Sequence, residues 1–242
     1  MGTLSFTATV SVDGYAAGPD GDFQFGAPSE QVFRFHVERM AAISTEILGR
    51  RTYELMRYWE AEPEGEDWGE DEGEFSRLWQ ALDIIAASST LTADDMTREN
   101  HRLVSDLTVE EIARIADGSS GEVEIFGPTT AAPAICAGLV RDFRFFIVPV
   151  ILGGGLRALP EEANLDLRLV ESRVFENGFT LLHYRAADPI QSSPHVDARR
   201  GPIIPELEED ESVAPRPEEE IADVLRAEPD VADHSVHHPD QD

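Results

Sequence analysis

The sequence contains no lysine; all 19 of its basic residues are arginine. That absence excludes Schiff-base chemistry, a P-loop lysine and Ser–Lys catalysis. The single cysteine, Cys136, excludes internal disulfides, Cys-rich zinc sites and CxxC redox chemistry. It sits among Ala134, Ile135 and Ala137 and reads as a small core residue. Positive charge is scarce: 48 acids oppose those arginines, for a formal charge of −29 over 242 residues. Nucleic acid needs a basic footprint that such a chain lacks, and an anionic membrane surface would repel it. No apolar run approaches the roughly 20 residues needed to span a bilayer. The opening Met1-Gly2-Thr3-Leu4-Ser5 has neither a basic n-region nor an apolar h-region, so a cytoplasmic location is expected. A salt-rich cytoplasm and GC-rich codon use would each account for the acidity.

Aromatics vanish after Arg185. Residues 186–242 hold 16 acids, four arginines and eight prolines, with no Phe, Trp or Tyr. Such a segment buries too little apolar surface to offset its ordering entropy, and a disordered acidic tail is expected there. Within it, Pro217 to Glu228 has the pattern of a short helix, either transient or a docking peptide. His234, His237 and His238 cluster near the end, a pattern that sometimes binds metal. Residues 1–185 form the expected domain, itself acidic with 32 acids against 15 arginines.

In that domain strands and helices alternate. Leu4–Val10 reads as a strand, followed by a turn-rich loop through Asp22. Ser29 is a candidate N-cap for a helix to Met40 with Val32, Phe33, Phe35 and Val37 among its apolar residues. Glu46–Leu48 is a short strand leading through Gly49 into a helix to about Tyr58. An acidic loop over 60–74 precedes a helix at 74–81 and a buried strand at 84–87. Thr108 caps a helix to Ala116, with Glu111 as capping-box partner. Strand 123–126 meets Gly127-Pro128 and a helix to Gly138, and 143–152 is a long apolar strand ending in three glycines. Strands at 167–175 and 179–184 form a hairpin across Asn177-Gly178. The pattern predicts an α/β fold, with helices on both faces of a mixed sheet.

Ligands of open α/β sheets bind at strand ends. Gly49-Arg50-Arg51-Thr52 places a glycine, two guanidinium groups and a hydroxyl at such a place, suited to a phosphate unless the arginines pair with local acids. Gly127-Pro128-Thr129-Thr130 is a second turn of this kind. Two phosphate sites on one sheet point to a dinucleotide.

The order SVDGYAAGPDGD, LGRRTYE, EIFGPTTAAPAICAGLV, RFFIVPVILGGG resembles the dihydrofolate reductase-like superfamily over residues 4–185. It is most similar to free-standing relatives of the reductase domain at the C-terminus of the bifunctional riboflavin-biosynthesis deaminase–reductase. The resemblance implies a three-layer αβα sandwich on a mixed, largely parallel sheet, closed by a hairpin and binding NADPH. It implies that Gly49, Arg50, Arg51 and Thr52 hold the adenine-side phosphates, with Arg51, Ser88 and Ser89 flanking the 2′-phosphate. Gly127, Pro128, Thr129 and Thr130 would cradle the diphosphate. Val12, Gly14 and Ala16 would close over the nicotinamide above a floor that includes Ala8 and Val10. Asp13 would face the substrate as the catalytic group, with Tyr15, Phe33 and His36 in the substrate region.

Two departures from the pattern stand out. The position of the substrate-binding acid of folate reductases falls on Phe33, which neither binds a pterin amidine nor delivers a proton. Glu30 and His36 lie about one turn to either side, and His36 also reads as a surface or packing histidine. The family's Gly-Gly turn is Gly-Pro here. In those relatives the turn is cis, and cis costs less before proline than before other residues, so a cis Gly127–Pro128 bond is expected. Two functions stay open. One is an NADPH-dependent reductase of a small pyrimidine, pterin or related carbonyl or imine. The other is a non-enzymatic nucleotide-binding or interaction protein whose tail engages a basic partner. The partner expected is a small-molecule substrate, with no nucleic acid and no membrane; a homodimer is compatible with either function.

Overall fold

The chain divides into two units, Met1–Ile190 and Gln191–Asp242. The structure, a computed structural model, describes residues 2–187. The proline-led helix over 217–228 and the three tail histidines expected from sequence lie outside the described residues.

In chain order the elements are β1 (Leu4–Ser11), β2 (Tyr15–Ala17), α1 (Glu30–Met40), β3 (Ile43–Gly49), α2 (Arg50–Met56), α3 (Glu70–Gln80), β4 (Asp83–Ala87), β5 (His101–Val104), α4 (Val109–Gly118), β6 (Glu122–Phe126), α5 (Pro128–Cys136), β7 (Asp142–Val148), β8 (Leu156–Arg157), β9 (Leu167–Val174) and β10 (Thr180–Ala186). Eight strands form one sheet in the order β5-β4-β3-β6-β1-β7-β10-β9. The first six run parallel. β10 and β9 are antiparallel, as a hairpin turn dictates. β2 and β8 pair separately.

Alternation along each strand supplies two cores. Phe6, Ile47, Ile85 and Ile125 pack with Ile112 of α4 and Ala131, Ala134 and Ile135 of α5. The adjacent residues Leu48, Ile84 and Ala86 point the other way, onto Val37 and Met40 of α1 and Phe75 and Trp79 of α3. Helices therefore cover both faces, and the fold is an α/β sandwich of the dihydrofolate reductase type.

Ser29 caps α1: its hydroxyl accepts the Val32 N–H at 3.4 Å. Under α1 lies a buried polar row. Arg39 grips Glu124 through two bonds of 2.8 and 3.1 Å, and Trp79 donates its Nε1–H to Glu46 at 3.0 Å. Burial above all, and the neighbouring Glu124, push the Glu46 carboxyl up to about 8.

Several expectations are corrected. α3 begins at Glu70, inside the expected acidic loop, because Glu70, Asp71 and Glu72 suit the positive end of a helix. β7 stops at Val148 rather than Leu152: Pro149 has no N–H to donate, and the Val150 N–H folds back onto Val148. The Thr108 hydroxyl does accept the Glu111 N–H, but the Glu111 carboxylate turns to Arg114 and Arg102 instead of closing the box. Cys136 is exposed, since Ala134 and Ile135 occupy the inward positions of the last turn of α5. The Gly127–Pro128 bond is trans; no cis peptide occurs among the described residues. Gly127 reverses the chain by itself, at φ 98° and ψ 126°, a conformation open to glycine and closed to most side chains. Pro128 then starts α5 without needing a cis bond.

Candidate active site

The parallel strands all end on one edge of the sheet. Registers Gly49↔Ala87, Leu48↔Phe126, Thr7↔Phe126 and Ser11↔Val148 place the following loops in a row. Along that row come Ser88-Ser89, Arg50-Arg51, Gly127 to Thr130, Val12 to Gly14, and the loop after β7. From β4 to β1 the row spans three strand spacings, about 14 Å. The sheet order thus gathers candidates scattered over more than a hundred residues of sequence.

The centre of the row is tightly built. A β-carbon added to Gly49 would stand 2.4 Å from Thr130 Oγ1, and one on Gly127 would stand 3.2 Å from Thr52 Oγ1. The two turns therefore close on each other through hydroxyls, and any side chain at Gly49 would have to displace that of Thr130. α5 adds two backbone donors, because the N–H groups of Thr129 and Thr130 precede the first intrahelical bond, Ala131 N–H to Gly127 O at 3.0 Å.

The two arginines differ. Arg50 reaches Glu54, one turn on, at 3.3 Å with both side chains about half exposed. Such a pair holds loosely. Arg51 is exposed and has no hydrogen bond or ion pair among the described residues. Beside it the Ser88 hydroxyl accepts the N–H groups of Thr90 and Leu91, both at 3.1 Å, and so shapes the turn after β4. Ser89 is exposed on that turn.

At the other end of the row a hollow of about 250 Å³ is floored by Val10, Phe145 and Ile147 and walled by Val12, Gly14 and Arg157. Ala8 lies one pleat deeper, inside the core, and Ala16 packs against that core. Asp13 is tied to the loop after β7: its two oxygens accept the N–H groups of Leu152 at 3.1 Å and Gly153 at 2.7 Å. The Ser11 hydroxyl first, then those two amides, hold its carboxyl down at about 2. Asp13 is thus ionised near neutrality and ties the two loops together.

The three residues placed in the substrate region have separate commitments. Tyr15 lies on β2 under the Arg157 guanidinium, 5.0 Å from its ring centre. Phe33 stacks on Trp59 at 5.7 Å and packs on Phe75, toward α3. His36 faces the sheet, its ring 4.4 Å from that of Phe146. Burial, and secondarily Arg39, push the His36 imidazole down to about 3, so it is neutral near pH 7. Sequence reasoning missed Arg157, since a two-residue strand leaves no periodic signal. Among the described residues no group of three or more His, Cys, Asp or Glu is arranged to hold a metal, and no helix is long and apolar enough to cross a membrane.

Comparison with known proteins agrees with the fold. Residues 3–181 match the model of the RibD C-terminal domain family. No curated protein matches the chain significantly. Among solved structures, a provisionally named riboflavin biosynthesis protein from Shewanella sp. PV-4 is similar at 22% identity and TM-score 0.61, covering 78% of this chain and 100% of its own. Dihydrofolate reductase from Enterococcus faecalis, solved with NADP(H), is similar at 18% identity and TM-score 0.51, covering 77% of this chain and 97% of its own. A deaminase/reductase from Thermotoga maritima is similar at 14% identity and TM-score 0.50, covering 77% of this chain and 57% of its own. At these identities the likeness to the solved structures is one of fold.

Proposed function

The chain belongs to the RibD C-terminal domain family, and from that premise we propose that it is an NADPH-dependent reductase of a small pyrimidine, pterin or related carbonyl or imine. One observation carries the reading. A β-carbon on Gly49 would stand 2.4 Å from Thr130 Oγ1, and beside that close approach lies an arginine, Arg51, without a hydrogen-bond or ion-pair partner among the described residues. Close backbone approach, free amides and an unsatisfied guanidinium are what a phosphate-bearing ligand recruits. The residues present therefore fit the dinucleotide.

When bound, NADPH supplies the hydride. The rest falls to this chain. Arg51, with Ser88 and Ser89 beside it, holds the phosphate on the adenine-side ribose. Gly49, Arg50 and Thr52 border it. Thr129 and Thr130 present amides and hydroxyls to the diphosphate, with Gly127 and Pro128 fixing their approach. Val12, Gly14 and Ala16 enclose the nicotinamide end, and Val10 floors the hollow there. Asp13 keeps the loop after β7 closed on that end. Neither Asp13, ionised, nor His36, neutral, has a proton to give near pH 7. The proton that completes a carbonyl or imine reduction then comes from solvent. Phe33, packed on Trp59, offers no charge to an amidine, which favours an uncharged ring over a folate.

Titration with NADPH and NADH, followed by nicotinamide fluorescence, tests the reading. Tight binding of NADPH supports it; saturable binding of neither nucleotide refutes it. Binding without turnover of any pyrimidine or pterin in a broad panel would favour a non-enzymatic nucleotide-binding protein.

A further inference from the structure

The hollow at the end of β1 is floored by apolar side chains, and its mouth continues that character. Val12, 61% exposed, and Leu159, 38% exposed, carry the lining outward from Val10, Phe145 and Ile147. Ile151, 77% exposed, stands in the neighbouring loop after β7, where Val150 O accepts the Val12 N–H at 2.8 Å. Large apolar side chains left open around a hollow mark a place where an apolar body binds.

Among the described residues, the one charged side chain that lines the hollow is Arg157. It is held in place from three directions. Arg157 pairs with Tyr15 across β2 and β8. The next residue, Ala158, donates its N–H to Gly14 O at 3.0 Å. The guanidinium itself lies over the Tyr15 ring, 5.0 Å from its centre. Stacking occupies the face of a guanidinium and leaves its edge of N–H donors free. No acid takes up that edge: Arg157 has no hydrogen bond or ion pair among the described residues. The other anion donors at the mouth are already used. The Leu152 and Gly153 N–H groups, the backbone pair that a phosphate would draw on, both bind Asp13.

We propose that the substrate is a carbonyl or imine compound with an apolar body and a single carboxylate, and that Arg157 binds the carboxylate edge-on. This rests on the reductase reading and names the substrate class for it. With the nicotinamide end on the floor of the hollow, the substrate meets the rim. Its apolar body lies against Val12 and Leu159, where the hydroxyls of a sugar or polyol would go unpaired. A carboxylate matches the free fork of the guanidinium with two parallel hydrogen bonds. One cation balances one negative charge. A phosphate dianion would keep a surplus charge beside the loop that carries the ionised Asp13, in a domain where 32 acids already face 15 arginines.

Calorimetric titration of the full-length chain tests this, with and without saturating NADP+, which cannot deliver a hydride and so leaves binding to be read alone. The probes are phenylglyoxylate, its methyl ester and ribose 5-phosphate. Phenylglyoxylate should bind about tenfold or more tightly than either of the others. Arg157→Gln should weaken phenylglyoxylate by about tenfold and leave the ester within about twofold of wild type. Arg157→Lys keeps the charge, loses the planar fork and should recover part of the binding. Leu159→Ser should weaken phenylglyoxylate and the ester alike. Both substituted positions are exposed, and unchanged melting temperatures would show that the losses are local. Phenylglyoxylate that does not bind overturns the proposal. So does ribose 5-phosphate bound as tightly, or a carboxylate preference that survives Arg157→Gln. Failure of NADP+ to bind would count against the reductase reading instead, while the carboxylate preference is still read on the free chain.

Discussion

Gly49 and Thr130, 81 positions apart in sequence, are so close that a β-carbon on the first would stand 2.4 Å from the hydroxyl of the second. The contact exists because β3 and β6 are parallel neighbours whose helices start at the same level. It ties the turn that bears Arg50 and Arg51 to the turn that opens α5.

Gly49→Ala should therefore strain both turns, destabilising the chain by about 1–3 kcal/mol. Thermal melting would show a fall of several degrees, with weaker nucleotide binding. Adding Thr130→Ala removes the opposing hydroxyl and should recover much of the melting temperature. A double variant no better than the single one would locate the strain elsewhere.

Arg51→Ala should weaken NADPH far more than NADH. A guanidinium–phosphate contact contributes on the order of 1.5–3 kcal/mol, about tenfold to a hundredfold in Kd. Fluorescence titration of both nucleotides checks this. Equal weakening of both would mean that Arg51 shapes the turn without reading the phosphate.

Glu46 makes stability depend on pH with a definite sign. Its folded-state value, about 8, lies above its ordinary 4.5. Between those values the folded chain keeps a proton that the unfolded chain has lost, so stability falls as pH rises. The stabilising contribution is complete below the lower value and is lost as pH rises through the higher one. Glu46→Gln keeps an acceptor for Trp79 and removes the titration. Denaturant melts at pH 5 and pH 9 should show the variant near wild type in acid and more stable in base, by on the order of a few kcal/mol. A variant equally destabilised at both pH values would contradict a protonated Glu46.

Asp13→Ala cuts the tie to the Leu152 and Gly153 amides. The loop after β7 should exchange its amide hydrogens faster, and KM for the nucleotide should rise several-fold. Because Asp13 is already ionised above about pH 2, the wild-type pH–rate profile should show no limb from it between pH 5 and 9. A limb in that range, abolished by the substitution, would restore Asp13 as a proton donor.

Much of the scaffold was readable from local pattern. Period-two apolar residues marked β1, β6 and β10. Ser29 and Thr108 marked helix starts through their hydroxyls, and Asn177-Gly178 marked the closing turn. These features depend on neighbours within a few residues, so the order of residues determines them directly. β2, β5 and β8, of two to four residues, were not readable, because each takes its conformation from the strand it pairs with.

The site divides the same way. The sequence by itself determined which residue types stand at the strand ends: glycines that permit close approach, Arg50 and Arg51, and paired threonines. It also determined what is missing there, namely any lysine and an acid at Phe33. Only the tertiary structure decided how those residues are used. The register of β3 with β6 set Gly49 against Thr130. The loop after β7 took up Asp13 as an anchor, and packing of the His36 ring against Phe146, on the sheet side of α1, left it neutral. Gly127, by accepting a positive φ, made the expected cis bond unnecessary. Side-chain roles of this kind depend on distance and desolvation between segments far apart in the chain, and these quantities exist only once the sheet has assembled.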